Sequence, residues 1–231
     1  MKDFKGIPIF IGYDSRERAA TNVLIDSLYQ KSSIPIACIP LVTSQLRNQG
    51  LYKREKDSKQ STDFSFTRFL VPYLMNYEGW CIFMDCDMLC NFDIKELWDQ
   101  KDDQFSIMCV KHNHIPNESK KFLGETQSAY PKKNWSSLML LNCKKCKVLT
   151  LDYVNKATGL ELHRFLWLGN ENEIGEINGS WNFLIDVQES KDNMINNSEL
   201  KLVHWTLGGP WFKDCRNKST TLAAEWFAAR D

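Results

Sequence analysis

Apolar runs without polar alternation recur along the chain at residues 7–11, 80–84, 105–111 and 138–141, and segments with helical apolar spacing fall among them. Runs of this kind suit strands covered on both faces, so the pattern predicts an α/β fold with a mostly parallel central sheet flanked by helices. The first run stops at Gly12, Tyr13, Asp14 and Ser15, and a helix is expected over 16–30, where Ala20, Val23, Leu24, Ser27 and Leu28 share a face. Asp14 and Glu17 have capping-box spacing at its start. Residues 34–42 supply a second strand, which Pro35 and Pro40 assign to a position near the sheet edge, because proline cannot donate to the ladder. Right-handed crossovers between parallel strands are expected.

The stretch 43–61 is polar, carries Arg47, Lys53, Arg54, Lys56 and Lys59, and shows no clean period, so it reads mostly as a surface excursion, with an anion-facing role as the lesser reading. Residues 63–77 read as a helix with Phe66, Phe69, Leu70, Tyr73 and Leu74 around Arg68, kinked or broken at Pro72. Arg68 on such a face either pairs with a buried carboxylate or reaches a phosphate. A short helix is expected at 93–99, a polar binding loop at 111–133, mixed helix and loop at 150–167, and an acidic turn at 169–176. His112 and His114 in that loop read as solvated. The chain turns apolar again at 181–185, follows a polar loop at 191–199, and reaches a last short strand over 202–205. Gly208 and Gly209 come next, where the backbone can approach a ligand closely, and a helix at 220–230 ends the chain.

Composition narrows the classes of function. The chain has 231 residues, 43% hydrophobic and 25% charged, which fits one globular domain over 1–231. Twenty-nine basic residues balance twenty-nine acidic ones, so no net charge argues for nucleic acid or an anionic membrane surface. No apolar stretch approaches the roughly 18 residues of a membrane span, and no signal-like start is present, so a cytoplasmic protein without a transmembrane segment is expected. Most of the eight cysteines lie in or beside apolar runs and read as reduced core residues. Cys143 and Cys146 have metal-ligand spacing but lack the second pair a zinc site needs.

The candidate chemistry sits where apolar runs end in polar groups. Residues 80–84 stop at Asp85 and Asp87, and residues 202–203 stop at His204. A D-x-D taken alone reads by default as a turn and cap, but a buried strand that ends in two carboxylates delivers them to a common point. Two carboxylates and an imidazole on strand ends supply three ligands for Mn2+, with Mg2+ as the alternative, and leave positions open for substrate oxygens. In an open α/β sheet that point lies beyond the carboxyl ends of the strands, where Gly12, Tyr13 and Asp14 also fall.

Several motifs appear in a fixed order: Met84-Asp-Cys-Asp-Met at 84–88, Phe-Thr-Arg-Phe-Leu-Val-Pro at 66–72, Trp-Ser-Ser-Leu-Met-Leu-Leu-Asn at 135–142, Ile-Gly-Glu-Ile at 174–177, Trp181 with Asn182, and His-Trp-Thr-Leu-Gly-Gly-Pro-Trp at 204–211. Together they resemble glycosyltransferases of the GT-A fold, a Rossmann-like architecture, and most of all the glycogenin and galactosyltransferase-like family 8. The resemblance implies a metal-dependent hexosyltransferase that uses a UDP-sugar donor, retains anomeric configuration, and acts on a glycan or other hydroxyl acceptor. It places Asp85, Asp87 and His204 on the metal and Gly12, Tyr13 and Asp14 beside the uridine. Arg68, Asp85 and Cys86 would stand at the donor, Gly208 and Gly209 against the diphosphate, and Glu171, Asn172 and Glu173 by the transferred sugar. The chain departs from the family pattern in two places. Trp135-Ser-Ser stands where Asn-Ser-Gly is common, and Gly209 precedes Pro210 where a lysine is common, leaving Lys213 as a substitute. Two rival readings are a phosphohydrolase with Asp85 as nucleophile and a nucleotide-sugar-binding protein without catalysis. Homo-oligomer formation is left open.

Overall fold

The computed structural model describes residues 4–55, 60–113, 131–188, 199–216 and 220–231. Strand β1 (Ile7–Gly12) is buried along its whole length. A 3-10 turn at Ser15–Glu17 leads into helix α1 (Arg18–Lys31), which buries Ala20, Val23, Leu24 and Leu28, the face expected from the spacing. Strand β2 (Ile36–Leu41) pairs with β1 in parallel, from Ile7 opposite Ile36 to Gly12 opposite Leu41. It is half-buried and ends the sheet, as its prolines require.

Helix α2 (Thr43–Asn48), a 3-10 turn at Thr67–Leu70 and helix α3 (Val71–Leu74) precede strand β3 (Trp80–Met84) and strand β4 (Met88–Cys90). Helix α4 (Ile94–Trp98), strand β5 (Ile107–Cys109), strand β6 (Leu138–Asn142), helix α5 (Leu151–Lys156) and helix α6 (Gly159–His163) follow. Strand β7 (Ile174–Glu176), strand β8 (Phe183–Leu184), helix α7 (Ile185–Gln188), strand β9 (Leu202–His204) and helix α8 (Thr220–Arg230) complete the order. The main sheet runs β2-β1-β3-β6-β5-β7, and β6 alone opposes the other strands. A second sheet, β4-β9-β8, continues directly from the end of β3. The main core gathers Ile9, Phe83, Leu140 and Ile174, while Trp205 and Trp226 centre a smaller cluster beside the second sheet.

Four sequence expectations change. The basic stretch 43–61 contains α2, and Leu46 and Tyr52 are buried. Its guanidinium groups brace the fold: Arg54 donates to the carbonyls of Val154 and Ala157 at the end of α5, and Arg47 lies over the Tyr52 ring. Lys56 and Lys59 fall outside the described residues. The helix expected over 63–77 is a series of turns, and Pro72 starts α3 instead of kinking a longer helix, because its missing N–H is not needed in a first turn. The acidic turn at 169–176 becomes, in its second half, the edge strand β7. Asp14 caps the turn before α1 by accepting from the Arg16 N–H, but Glu17 is buried under the helix and points toward Cys86 instead of closing a capping box. All eight cysteines are free thiols. Most of the polar loops expected at 111–133 and 191–199 lies outside the described residues.

Candidate metal centre

Strand β3 is held between β1 and β6, with Met84 opposite both Ile11 and Leu138. Just beyond it the Asp85 N–H donates to the Ser137 carbonyl at 2.9 Å, which fixes where the first carboxylate leaves the sheet. The chain then enters the second sheet, where β4 and β9 pair antiparallel with Met88 opposite His204. The Trp205 N–H donates to the Asp87 carbonyl at 3.0 Å and extends that ladder into the D-x-D turn. This short pairing carries an imidazole more than a hundred residues away in sequence to the two carboxylates. One ligand atom from each of Asp85, Asp87 and His204 lies within 4.8 Å of the others. His204 Nε2 is 3.2 Å from Asp87 Oδ1, and both side chains are almost fully buried.

Arg68 completes the inner side of the cluster. Its Nη1 stands 2.9 Å from Asp85 Oδ1 and donates to the Ser136 carbonyl at 2.7 Å. The guanidinium lies 4.9 Å from the centroid of the Phe83 ring and 5.4 Å from that of Phe64. Of the two roles open to Arg68 from sequence, the structure uses the pairing with a buried carboxylate. Two carboxylates against one guanidinium, in a site with little solvent, make a donor set that accepts a divalent cation. Three protein ligands of this kind leave coordination positions for phosphate oxygens. The residues present therefore fit the expected metal.

The residues expected around the nucleotide divide into two groups. A Cβ on Gly12 would lie 2.2 Å from Phe64 Cδ2, so glycine is required there by the buried ring of Phe64. Tyr13 is partly exposed at the carboxyl end of β1. Asp14 is fully buried, and its carboxylate accepts from Arg16 Nε at 2.9 Å, from Arg16 Nη2 at 2.6 Å and from the Asp63 N–H at 3.1 Å. Burial alone would raise its pKa; the hydrogen bonds from Arg16 and Asp63 outweigh burial and leave it below the ordinary Asp value. Asp14 thus ties the 61–63 loop to the end of β1, and its carboxylate is directed into the protein. The buried thiol of Cys86 likewise points into the protein, toward Glu17, 3.8 Å from Oε2, and burial raises its pKa.

After His204, Gly208 adopts φ +100°, open to glycine with little strain, and a Cβ on Gly209 would lie 2.1 Å from Trp211 Cζ3. Trp211 packs between Trp205, edge-on with centroids 6.0 Å apart, and Trp226, tilted with centroids 5.6 Å apart, so Gly209 fits the loop against its indole. Lys213 is exposed on a separate 3-10 turn, Lys213–Cys215.

Glu171, Asn172 and Glu173 form a 3-10 turn that enters β7. Parallel and antiparallel registers place Ile174 level with Ile107, Leu141 and Cys81, four residues before Asp85. At ~3.3 Å per residue this puts the turn about 13 Å or more down the strand direction from the metal cluster. The Glu173 carboxylate accepts from Ser106 Oγ at 2.6 Å and from the Asn170 N–H at 3.1 Å, while Glu171 pairs with Lys132 at 2.7 Å. The structure does not bring these three residues together with Asp85 and Asp87. The carboxylate at the exit end of β7 is Glu176, exposed and on the edge where the cluster stands. From the sequence Glu176 reads as one of the exposed glutamates of an acidic turn over 169–176, with no role of its own. Nor does the sequence assign a role to Ser137 and Asn182, which lie behind His204.

The comparisons agree with this geometry. The model for glycosyl transferase family 8 matches residues 24–215. Protein CDI of Arabidopsis thaliana is 48% identical over 219 residues, covering 91% of this chain and 83% of that protein. The apo form of glycosyltransferase GlyE from Streptococcus pneumoniae superposes with a TM-score of 0.62 at 14% identity, over 98% of this chain; the chain spans only 60% of GlyE. Galactosyltransferase LgtC, solved with donor and acceptor sugar analogs, superposes with a TM-score of 0.60 at 11% identity, covering 97% of this chain and 95% of LgtC. At such identities the structural likenesses establish the GT-A fold, and the family match adds the activity class. This chain belongs to glycosyl transferase family 8 and is a glycosyltransferase of the GT-A fold.

Proposed function

We propose that the protein transfers a hexose from a UDP-sugar to a glycan or other hydroxyl acceptor, using Mn2+ held by Asp85, Asp87 and His204, and retains the anomeric configuration. The observation that carries this reading is the convergence of those three side chains within 4.8 Å at the carboxyl edge of the sheet, where open α/β sheets bind their ligands. When bound, the cation supplies positive charge against the departing diphosphate.

The chain's own residues do the rest. Arg68 holds Asp85 in place and partly neutralises it. On this reading Tyr13 borders the base, and the Gly208 and Gly209 backbone approaches the diphosphate. The lysine absent before Pro210 leaves Lys213 as the nearest basic residue in sequence on that side. Glu176, level with Phe83, is better placed than Glu171, Asn172 or Glu173 to steady positive charge on the sugar as the donor bond breaks. The phosphohydrolase reading loses its ground, because the family is that of glycosyltransferases.

The test is a panel of UDP-hexoses incubated with the protein and Mn2+, followed by NMR detection of released sugar. Release from one UDP-sugar with a preserved α-anomer supports the reading. Turnover of a phosphomonoester without nucleotide, and none of the UDP-sugars, would overturn it.

A further inference from the structure

Behind the metal cluster lies a line of buried neutral polar groups that the catalytic reading does not use. The Ser137 hydroxyl donates to the Asn134 carbonyl at 2.6 Å. With its proton committed there, Ser137 Oγ can only accept from Asn182 Nδ2, 2.9 Å away. That contact fixes the orientation of the Asn182 amide and turns its Oδ1 toward His204 Nδ1, at 2.9 Å. An amide oxygen has no proton to give, so the proton in this contact must sit on Nδ1. In the neutral ring the lone pair then belongs to Nε2, the nitrogen 3.2 Å from Asp87 Oδ1 and facing the metal position.

We infer that Asn182, oriented by Ser137, is a positioning residue that locks His204 in the Nδ1–H tautomer and so makes Nε2 the metal-binding nitrogen. The inference rests on the metal reading above and goes beyond it by naming what sets the ligand atom. Bulk solvent barely reaches these groups: Asn182 is 0% exposed, and Ser137 and His204 are each 2% exposed. Local structure explains the precision. Asn182 ends a 3-10 turn, Gly179–Asn182, directly before β8, and β8 pairs in parallel with β9, Leu184 opposite His204. Ser137 ends the turn that feeds β6, and its carbonyl accepts the Asp85 N–H. One serine therefore reaches both halves of the site, through its carbonyl to Asp85 and through its hydroxyl to Asn182 and His204. Partners of this kind are worth about 10–100-fold in metal affinity.

The experiment uses the full chain labelled with 15N-histidine; with four histidines the spectrum can be assigned by a His204→Gln variant. Long-range 1H–15N spectra of the metal-free protein, recorded at a pH where the ring is neutral, should show His204 protonated at Nδ1 and bare at Nε2. Asn182→Asp, which keeps an acceptor oxygen, should keep that tautomer. Asn182→Ala should let the ring take the Nε2–H form and weaken Mn2+ binding, measured by calorimetry, about 10–100-fold. A neutral ring with a bare Nδ1 in the unsubstituted protein overturns the inference without any variant. An Asn182→Ala protein that binds Mn2+ within twofold of the unsubstituted one overturns it as well. Failure of the unsubstituted protein to bind Mn2+ while the Nδ1–H tautomer is present would overturn the metal reading, distinguishably from the tautomer assignment.

Discussion

Replacing Arg68 with Met removes the guanidinium from a pair that is almost wholly desolvated, with side-chain exposures of 6% for Arg68 and 14% for Asp85. Breaking one side of a buried ion pair costs about 3–5 kcal/mol, because the remaining charge stays buried without compensation. The residual access of water to Asp85 argues for the lower end, about 3 kcal/mol, and the Met side chain refills most of the space against Phe83 and Phe64. In a chain of this size each kcal/mol moves the melting point by about 2–4 °C, so Tm should fall by about 6–12 °C. Urea denaturation followed by tryptophan fluorescence gives the free energy. A second variant, Arg68→Met with Asp85→Leu, removes both charges and should recover most of the loss. Mn2+ should stabilise the single variant more than the unsubstituted protein, since the cation replaces the missing guanidinium beside Asp85. A loss below about 1 kcal/mol, the range of an exposed pair, or a double variant less stable than the single one, would refute the reasoning.

Two further substitutions test the surroundings of the site. Gly209→Ala puts a methyl 2.1 Å from Trp211 Cζ3 and should cost about 1–3 kcal/mol, with a shift in tryptophan emission; an unchanged spectrum and Tm would remove Trp211 as the reason for the glycine. Asp14→Asn removes a carboxylate whose pKa is lowered in the folded state by its bonds to Arg16 and Asp63. The stability Asp14 contributes is complete above the ordinary Asp value of about 3.9 and is lost as pH falls through the lower folded value. The difference in urea stability between the two proteins should be full at pH 7 and should shrink as the solution is acidified below that range. A difference that stays constant with pH would contradict the assignment.

Much of the fold is written in continuous apolar runs. The β1 and β3 strands, α8 and the edge position of β2 were readable because burial on both faces, helical spacing and proline each leave a direct trace. Asp85, Asp87 and His204 were readable for a related reason: each interrupts an apolar run at its end. What did not show was decided by pairing. Strand β4 is only Met88–Cys90, too short for a period, yet its register with β9 is what carries His204 to the carboxylates. The β7 strand was hidden by the glutamates of the turn before it and by Glu176 at its end, which is tolerated because the strand lies at the sheet edge. Neutral residues such as Ser137 and Asn182 carry neither charge nor periodicity, so their part appears only once hydrogen bonds are known. Asp14 and Cys86 sit where a ligand contact was expected, and their side chains turn inward instead.

On the proposed function, Asp85, Asp87 and His204 form one metal-dependent nucleotide site. Calorimetric titration of the protein with UDP, first with Mn2+ and then with the metal chelated, tests it most directly. Binding should occur only with the metal and should be lost in a folded Asp87→Ala variant. Equal affinity with and without Mn2+, or full metal-dependent affinity in Asp87→Ala, would contradict it.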